Sequence, residues 1–286
     1  MADLQQSHDD TQQSSDESFA RVKQTLSSIA NDCLDCCLRE LDSTSVAPPV
    51  STTSSVIPAT TTCAVTPSCF IDCLDYRICG QHNTSGVITT LSQDGSCSQE
   101  SYCDMETDGG GWTVFQRHQS DAVSFTHRWA EYKNGFGNLS DSFWWGNDKL
   151  AQALNDGRRY ELRIDLFDWE GEHRYTKYSH FYVALESDNY RIRLSGYTGN
   201  AGGDSFGPNA NGQQFTTFDQ DNDASPDNCA ARYGGGFWYL HCGNFLPNGR
   251  YSRTSSVPGW TGLHWAHWHG ASYSLKAVSM AFRAAN

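Results

Sequence analysis

The sequence DQDNDASPDNCAARYGGGFWYLHCGNFLPNGRY occupies residues 219–251 and concentrates aspartate, cysteine and glycine in one short segment. Carboxylates at this density repel one another unless a cation lies among them, so the pattern favours a calcium loop. The alternating acids that open it resemble the start of an EF-hand. An EF-hand, however, needs glycine at its sixth position and glutamate at its twelfth, where this chain has Ala224 and Ala230. The segment is therefore an acidic loop of another kind.

Composition limits the classes of function. The chain has 286 residues, with 20 Lys and Arg against 33 Asp and Glu and a net charge of −13, so a nucleic-acid backbone is a poor partner. No apolar run reaches the roughly 18 residues that a membrane-spanning helix needs. Aromatic residues make up 13% of the chain and include 9 Trp, which indicates a packed core.

An extracellular location is indicated by the 11 cysteines and by two N-x-S/T sequences, at Asn83 and Asn138, which are predicted glycosylation sites. The sequence opens with MADLQQSHDDTQQSSDES, which lacks the apolar segment of a secretory signal. Because cysteines at this frequency favour an oxidising compartment, we predict a secreted glycoprotein although no signal is visible in this chain.

Three segments precede the globular part. Residues 1–18 are polar and acidic and are predicted to be disordered. Residues 19–42 carry apolar side chains three and four apart, which predicts a short coiled coil. Its cysteines, from Cys33 to Cys37, favour a disulfide-linked homo-oligomer; a solvated amphipathic helix and a C-x-x-C-C metal or redox site are the alternatives. Residues 43–68 are rich in Ser, Thr and Pro and are predicted to be an extended linker.

Residues 69–286 have the pattern of a loop-rich, antiparallel α+β domain. A helix is predicted near residues 147–154, with Asn147 or Asp148 as its N-cap. The long loops between residues 196 and 260 are predicted to carry function, because loops of that length are otherwise uncommon in a compact domain. Alternating apolar and polar side chains predict strands over 160–166, 190–194 and 278–282.

Seven motifs occur in a characteristic order. They are CDMETDGGGWTVFQR (103–117), WAEYKNGFG (129–137), FWWGNDKL (143–150), YELRID (160–165), DQDND (219–223), NCA (228–230) and YSLK (273–276). Together they resemble the fibrinogen C-terminal domain, as found in fibrinogen, ficolins, tachylectins, angiopoietins and the fibrinogen-related lectins of invertebrates. The resemblance covers about residues 69–286 and implies an antiparallel sheet with long calcium- and ligand-binding loops, preceded in this chain by the short coiled coil.

The resemblance implies a Ca²⁺ site in the acidic loop. The matching ligands are the side chains of Asp221 and Asp223 and the backbone carbonyls of Ser225 and Asp227, with Asp219 as a nearby charge-balancing group. A hard cation takes oxygen ligands, and alternate residues of an extended loop face the same way. The alternative is a solvated acidic turn whose groups are satisfied by Asx hydrogen bonds.

Two disulfides are also implied by the resemblance, Cys229 with Cys242 and Cys73 with Cys103. Cys97 would pair with Cys69 or Cys79, and Cys63 is left without an assigned partner. In the resembling proteins the peptide bond before the second loop cysteine is cis, so the His241–Cys242 bond is predicted to be cis.

A ligand pocket beside the calcium loop is the last feature that the resemblance implies, because acetyl-binding members hold an acetamido group there against aromatic rings. Tyr233 matches one pocket tyrosine, and His241, Trp260 and His264 are predicted to rebuild the wall. The chain departs from the acetyl-binding pattern at three positions, Gly243, Gly259 and Ala271.

We therefore predict a calcium-dependent pattern-recognition lectin of innate immunity. It would bind acetylated sugars, peptidoglycan or lipopolysaccharide on microbial surfaces and agglutinate bacteria, with avidity from its oligomer. The alternative, drawn from angiopoietin-like and tenascin-like members, is a secreted ligand of a receptor or of the matrix. No enzyme is predicted, because His264, His267 and His269 lack the glutamate and helical spacing of a zinc hydrolase.

Overall fold

The structure is a computed structural model that describes residues 70–80, 82–91 and 97–285. The predicted disordered segment, coiled coil and linker lie outside these residues. Several cysteines are also outside the description, namely Cys33, Cys36, Cys37, Cys63 and Cys69 together with the side chains of Cys79 and Cys97. The disulfide-linked oligomer and the partner of Cys97 therefore stay predictions.

One antiparallel sheet of nine strands organises the described part of the chain. Its strands are β1 (Gly86–Leu91), β2 (Cys97–Asp104), β3 (Trp112–His118), β4 (Phe136–Gly137), β5 (Phe143–Trp144), β6 (Tyr160–Phe167), β7 (His173–Val183), β8 (Ile192–Gly199) and β13 (Ala277–Ala284). The main path runs β1-β2-β3-β13-β6-β7-β8, and the short β4 and β5 pair beside β3. The α+β fold with an antiparallel sheet is thus confirmed.

Short helices and two small ladders complete the domain. The helices are α1 (Cys73–Gly80), α2 (Trp129–Asn134), α3 (Asn147–Ala153), α4 (Gly207–Ala210), α5 (Cys229–Tyr233) and α6 (Ala266–His269). The ladders pair β9 (Phe215–Thr216) with β10 (Phe237–Trp238), and β11 (Phe245–Leu246) with β12 (His264–Trp265). None of the described helices is long and apolar enough to cross a membrane.

The predicted strands fall where side-chain alternation placed them, with one shift. In β6 the apolar positions Leu162, Ile164 and Leu166 are fully buried, as a strand with one core face requires. The strand predicted over residues 190–194 is β8, which starts at Ile192 instead of Tyr190. Tyr190 has a left-handed φ of +52°, which places it in the preceding turn despite its apolar ring.

Strand β13 lies at the centre of the sheet although it follows every other described strand in sequence. Val278 pairs with His118 of β3 on one side and with Leu166 of β6 on the other. Strands β1 and β8 form the two ends of the path. The sheet therefore depends on contacts between residues that are far apart in the chain.

Helix α3 forms where it was predicted, but its cap differs. Gly146 occupies the N-cap with a φ of +117°, and no side chain caps the helix there. Asn147 lies inside the first turn, where its Oδ1 accepts a 3.0 Å hydrogen bond from the indole of Trp144. Buried indole N–H groups need an acceptor, so Asn147 serves the core instead of the helix terminus.

A disulfide between Cys73 and Cys103 ties α1 to β2, with 5.3 Å between the Cα atoms. Both cysteines are fully buried and pack with Met105 in a small cluster apart from the main core. This link holds the N-terminal subdomain to the sheet, and it is one of the two pairings that the family resemblance implies.

Candidate functional site

The acidic loop is held by a series of hydrogen bonds from its own backbone. Asp221 Oδ1 accepts from the N–H of Asp223 at 3.3 Å, and Asp223 Oδ1 accepts from the N–H of Ser225 at 2.9 Å. Ser225 Oγ then accepts from the N–H of Asp227 at 3.3 Å. Each is a side-chain-to-backbone turn two residues long, typical of Asx and Ser turns. These are the Asx hydrogen bonds expected of a solvated acidic turn, the alternative to a calcium site.

Asp223 is the most constrained acid of the loop. Its Oδ2 accepts the backbone N–H of Cys229 at 3.0 Å, so both carboxylate oxygens have backbone donors. Partial burial, and to a lesser degree the neighbouring Asp221 carboxylate, raise the pKa of Asp223 above the ordinary aspartate value. Two carboxylates that face each other in this way create a local excess of negative charge.

The excess of negative charge at Asp221 and Asp223 fits the predicted binding of a calcium ion. In the described residues no group of three or more His, Cys, Asp or Glu side chains is arranged to hold a metal. The predicted site uses only two carboxylates, Asp221 and Asp223, and takes its other protein ligands from carbonyls. A bound cation would offset the repulsion between the two acids. Calcium binding stays a prediction.

Asp219, predicted as a charge-balancing group, has protein partners of its own. Its Oδ1 accepts the N–H of Trp129 at 2.9 Å and the hydroxyl of Thr217 at 2.8 Å, and its Oδ2 lies 3.9 Å from the Arg128 guanidinium. A carboxylate at a helix N-terminus satisfies a free backbone donor and interacts favourably with the helix dipole. Asp219 therefore links the acidic loop to α2.

The second predicted disulfide, between Cys229 and Cys242, closes the far side of the loop with 5.1 Å between the Cα atoms. The predicted cis bond between His241 and Cys242 is wrong, since none of the described peptide bonds is cis. The chain turns there through positive φ values instead, +68° at Cys242 and +81° at Gly243. Glycine adopts such angles without steric cost, and this accounts for Gly243 at the position.

Two of the four predicted pocket residues contact each other. Trp260 and His264 are in ring contact, with centroids 6.0 Å apart. His264 is fully buried, its Nε2 lies 2.6 Å from the Thr261 carbonyl, and burial lowers its pKa. Tyr233 is half-buried beneath the Arg232 guanidinium. The Thr261 carbonyl takes one ring nitrogen of His264, while its buried Nδ1 has no hydrogen-bond partner among the described residues. A role for His264 in a ligand pocket stays a prediction.

His241, the remaining pocket residue, is exposed on the surface. The three histidines weighed as a zinc site bond to separate partners. His267 Nδ1 lies 2.7 Å from Ser205 Oγ, and His269 Nε2 lies 3.2 Å from Asp168 Oδ2. They do not converge on a common point.

An aromatic surface that the sequence patterns did not reveal lies between the β6–β7 turn and α6. The His269 ring is stacked between Trp268 and Tyr273, at centroid distances of 4.4 and 4.0 Å. The Arg174 guanidinium lies 4.8 Å from the Trp268 ring centroid, and the Tyr273 hydroxyl accepts the Trp169 N–H at 2.9 Å. We call these residues, Trp169, Arg174, Trp268, His269 and Tyr273, the aromatic face.

Hydrogen bonds to two carboxylates fix the aromatic face from below. Asp168, which is 2% exposed, pairs with His269, and the Tyr273 hydroxyl donates to the Glu170 carboxylate. Burial and this hydrogen bond raise the pKa of Tyr273 to about 12, so its hydroxyl stays protonated at physiological pH. All five side chains are only half-buried and so remain available to a partner.

Both predicted glycosylation sites are on the surface. Asn83 lies in the exposed segment before β1. Asn138 is exposed in the turn between β4 and β5, where its Oδ1 accepts the N–H of Ser140 at 2.9 Å. Exposure is a requirement for a glycan, and modification at either site stays a prediction.

The fold, the two disulfides and the acidic loop define a fibrinogen-like globular domain. The family described as fibrinogen beta and gamma chains, C-terminal globular domain, matches residues 70–285, and the chain belongs to this family. The fibrinogen-like globe domain of human ANGPTL2 superposes with a TM-score of 0.71 at 37% identity, over 75% of this chain and 99% of that one.

Among curated proteins, human angiopoietin-2 is 41% identical over 218 residues, which are 76% of this chain and 43% of the relative. Human angiopoietin-related protein 7 is 42% identical over 212 residues, which are 73% of this chain and 59% of the relative. The match thus spans about half the length of these relatives.

These relatives overturn the lectin prediction. The chain is similar to angiopoietins and angiopoietin-like proteins, so the prediction of a lectin for microbial glycans is wrong, as are its acetylated-sugar, peptidoglycan and lipopolysaccharide partners. The predicted role in innate immunity depended on the lectin prediction and is not supported either.

Proposed function

We propose that this chain is a secreted, non-enzymatic protein ligand that binds a receptor at the cell surface. The observation that carries the proposal is its 41% identity to angiopoietin-2 over the whole fibrinogen-like domain. Angiopoietin-like members of the family bind receptors or matrix, and we propose a partner of the same kind for this chain. The buried disulfides suit an oxidising extracellular compartment.

The aromatic face is the surface that we assign to the receptor. Tryptophan, tyrosine and arginine are the residues most enriched among the side chains that dominate binding energy at interfaces. Here they are held in place by the Asp168–His269 pair and by the stack of rings, so little side-chain entropy is lost on binding. A rigid, half-exposed surface of this composition suits a folded protein partner.

Calcium has a structural role in this proposal. Asp221 and Asp223, with the carbonyls of Ser225 and Asp227, would hold the ion and so order the loop that leads into α5. No sugar needs to contact the ion. Calcium would stabilise the domain and affect receptor binding only through the order of the loop.

The test is a binding screen of the full chain against immobilised ectodomains of cell-surface receptors, with a glycan array run in parallel. We expect a receptor ectodomain to bind and the glycan array to stay blank. Trp268→Ala should weaken receptor binding by about tenfold or more, as is usual for a central aromatic contact.

The matched control is His180→Ala, because His180 is an exposed side chain of β7 outside the aromatic face. That variant should bind like the parent chain. If no ectodomain binds, or if the chain binds matrix proteins alone, the receptor proposal fails. If Trp268→Ala and His180→Ala bind equally well, the aromatic face is not the binding surface.

A further inference from the structure

A cleft of about 450 Å³ opens between β2, the turn from α2 to β4, and the start of α3. Its lining includes Glu100, Phe136, Leu139, Trp145 and Lys149, and no residue of the acidic loop or of the aromatic face. The volume is in the range of roughly 300–1,000 Å³ that is usual for small-molecule sites.

The walls of the cleft are fixed. Phe136 and Leu139 are half-buried and pack against the main core. The Trp145 indole donates a 2.9 Å hydrogen bond to the Glu100 carbonyl and so joins β2 to the segment before α3. Gly135, with a φ of +94°, lets the turn approach so closely that an added Cβ would lie 2.4 Å from the Trp145 carbonyl oxygen. The cleft is therefore formed before any ligand arrives.

Lys149 brings a positive charge to this cleft of mixed polar and apolar lining. In the described part of the chain no carboxylate lies within ion-pair distance of its ammonium group, although Glu100 is close enough to influence it. Burial lowers the pKa of Lys149, and the Glu100 charge opposes that effect.

The other described lysines all have partners. Lys133 pairs with Glu186, Lys177 pairs with Asp108 and Lys276 lies over the Trp169 ring. Among the residues that the structure describes, Lys149 is thus a half-buried cation whose three N–H donors have no ion-paired or hydrogen-bonded partner.

We propose that this cleft binds a small organic anion, a carboxylate or sulfonate joined to an apolar group. The anionic group is held by the Lys149 ammonium, and the apolar group packs on Phe136 and Leu139. A charge-assisted hydrogen bond in a partly desolvated site supplies orientation, and contact with Phe136 and Leu139 buries the apolar group. The ligand is small, because the cleft cannot take more than one compact group of that size. The proposal goes beyond receptor binding and does not depend on it.

The experiment uses the full chain and two fluorescent probes of nearly the same shape. One is 8-anilino-1-naphthalenesulfonate, which carries a sulfonate, and the other is N-phenyl-1-naphthylamine, which is uncharged. We expect the sulfonate probe to bind at least about tenfold more tightly than the uncharged probe. Octanoate should displace it, which separates recognition of carboxylates from recognition of sulfonates alone.

Lys149→Gln keeps the length of the side chain and removes the charge, so it should abolish the preference for the charged probe. Lys276→Gln is the control, because Lys276 lies away from the cleft and its loss removes the same charge from the chain. If the two probes bind the parent chain equally, or if Lys276→Gln loses as much affinity as Lys149→Gln, the proposal is overturned. The probe comparison on the parent chain decides the question even if Lys149→Gln fails to fold.

Discussion

Asp223 Oδ2 accepts the backbone N–H of Cys229 at 3.0 Å, so the acidic loop is joined by a side chain to the first residue of its own disulfide. Cys229 is fully buried and begins α5. Its N–H has no helical partner, as is usual for the first residues of a helix, and Asp223 supplies the acceptor. Loop, helix and disulfide therefore form one unit.

Removal of this carboxylate is expected to destabilise the domain. Asp223→Ala leaves a buried N–H without an acceptor, which costs about 1–3 kcal/mol of unfolding free energy. Urea unfolding of the full chain in calcium-free buffer measures the loss. Asp227→Ala is the matched control, because the Asp227 carboxylate is 75% exposed and 4.0 Å from Arg232, so its removal should change stability by less than about 0.5 kcal/mol. Equal losses in the two variants would contradict this account of Asp223.

Calcium is expected to raise the melting temperature of the parent chain, because an ion that binds only the folded state stabilises it by an amount that grows with the free ion concentration relative to its Kd. Asp221→Ala combined with Asp223→Ala should abolish the increase. Asp227→Asn should keep it, because only the backbone carbonyl of Asp227 is a predicted ligand. Thermal unfolding with added Ca²⁺ and with EGTA measures the effect, and an unchanged melting temperature in the parent chain would remove calcium from the proposal.

The loop disulfide should contribute to stability mainly by restricting the unfolded chain. Cys229 and Cys242 are 13 residues apart, and closure of a loop of that length contributes about 3 kcal/mol. The double variant Cys229→Ser and Cys242→Ser should therefore melt about 6–12 °C lower than the parent in differential scanning calorimetry. A variant that melts at the parent temperature would show that the loop is ordered without its covalent link.

His118 should make the domain sensitive to acid. Burial lowers the pKa of His118 to about 4, and its Nδ1 lies 3.2 Å from the Pro247 carbonyl. Between pH 6.5 and pH 4 the unfolded chain binds a proton that the folded chain excludes, so lowering the pH through this range favours unfolding. Across this pH range the unfolding free energy falls by up to about 3 kcal/mol through His118 alone.

His118→Gln keeps a donor for the Pro247 carbonyl and cannot gain that proton. Urea unfolding from pH 7.5 to pH 4 should show the parent losing stability relative to this variant. Parallel curves for the two proteins would show that His118 already titrates normally in the folded state.

Both N-x-S/T sites should carry glycans when the chain is expressed through a eukaryotic secretory pathway, because Asn83 and Asn138 are exposed. Asn83→Gln and Asn138→Gln should each reduce the mass of the secreted protein by one glycan, as measured by intact-mass spectrometry before and after glycosidase treatment. A parent chain whose mass is unaffected by the enzyme would refute both sites.

The fold could be predicted from the sequence because its signals are local and numerous. Alternation in β6 and the separate family motifs are readable without knowledge of long-range contacts. Much of the surface could not be predicted. The aromatic face joins His269 to Asp168, which are 101 residues apart, and no periodic pattern links them. Trp260 has a left-handed φ of +63°, which a tryptophan seldom adopts. No sequence pattern predicts that backbone angle.

The central position of β13 has a consequence for how the chain is made. The strands on either side of it, β3 and β6, are synthesised long before Ala277–Ala284 emerges from the ribosome. Until then each half of the sheet carries an unpaired edge, the kind of surface that invites pairing with other chains. A chain that stops before Ala277 would therefore keep both edges exposed, and we expect it to self-associate.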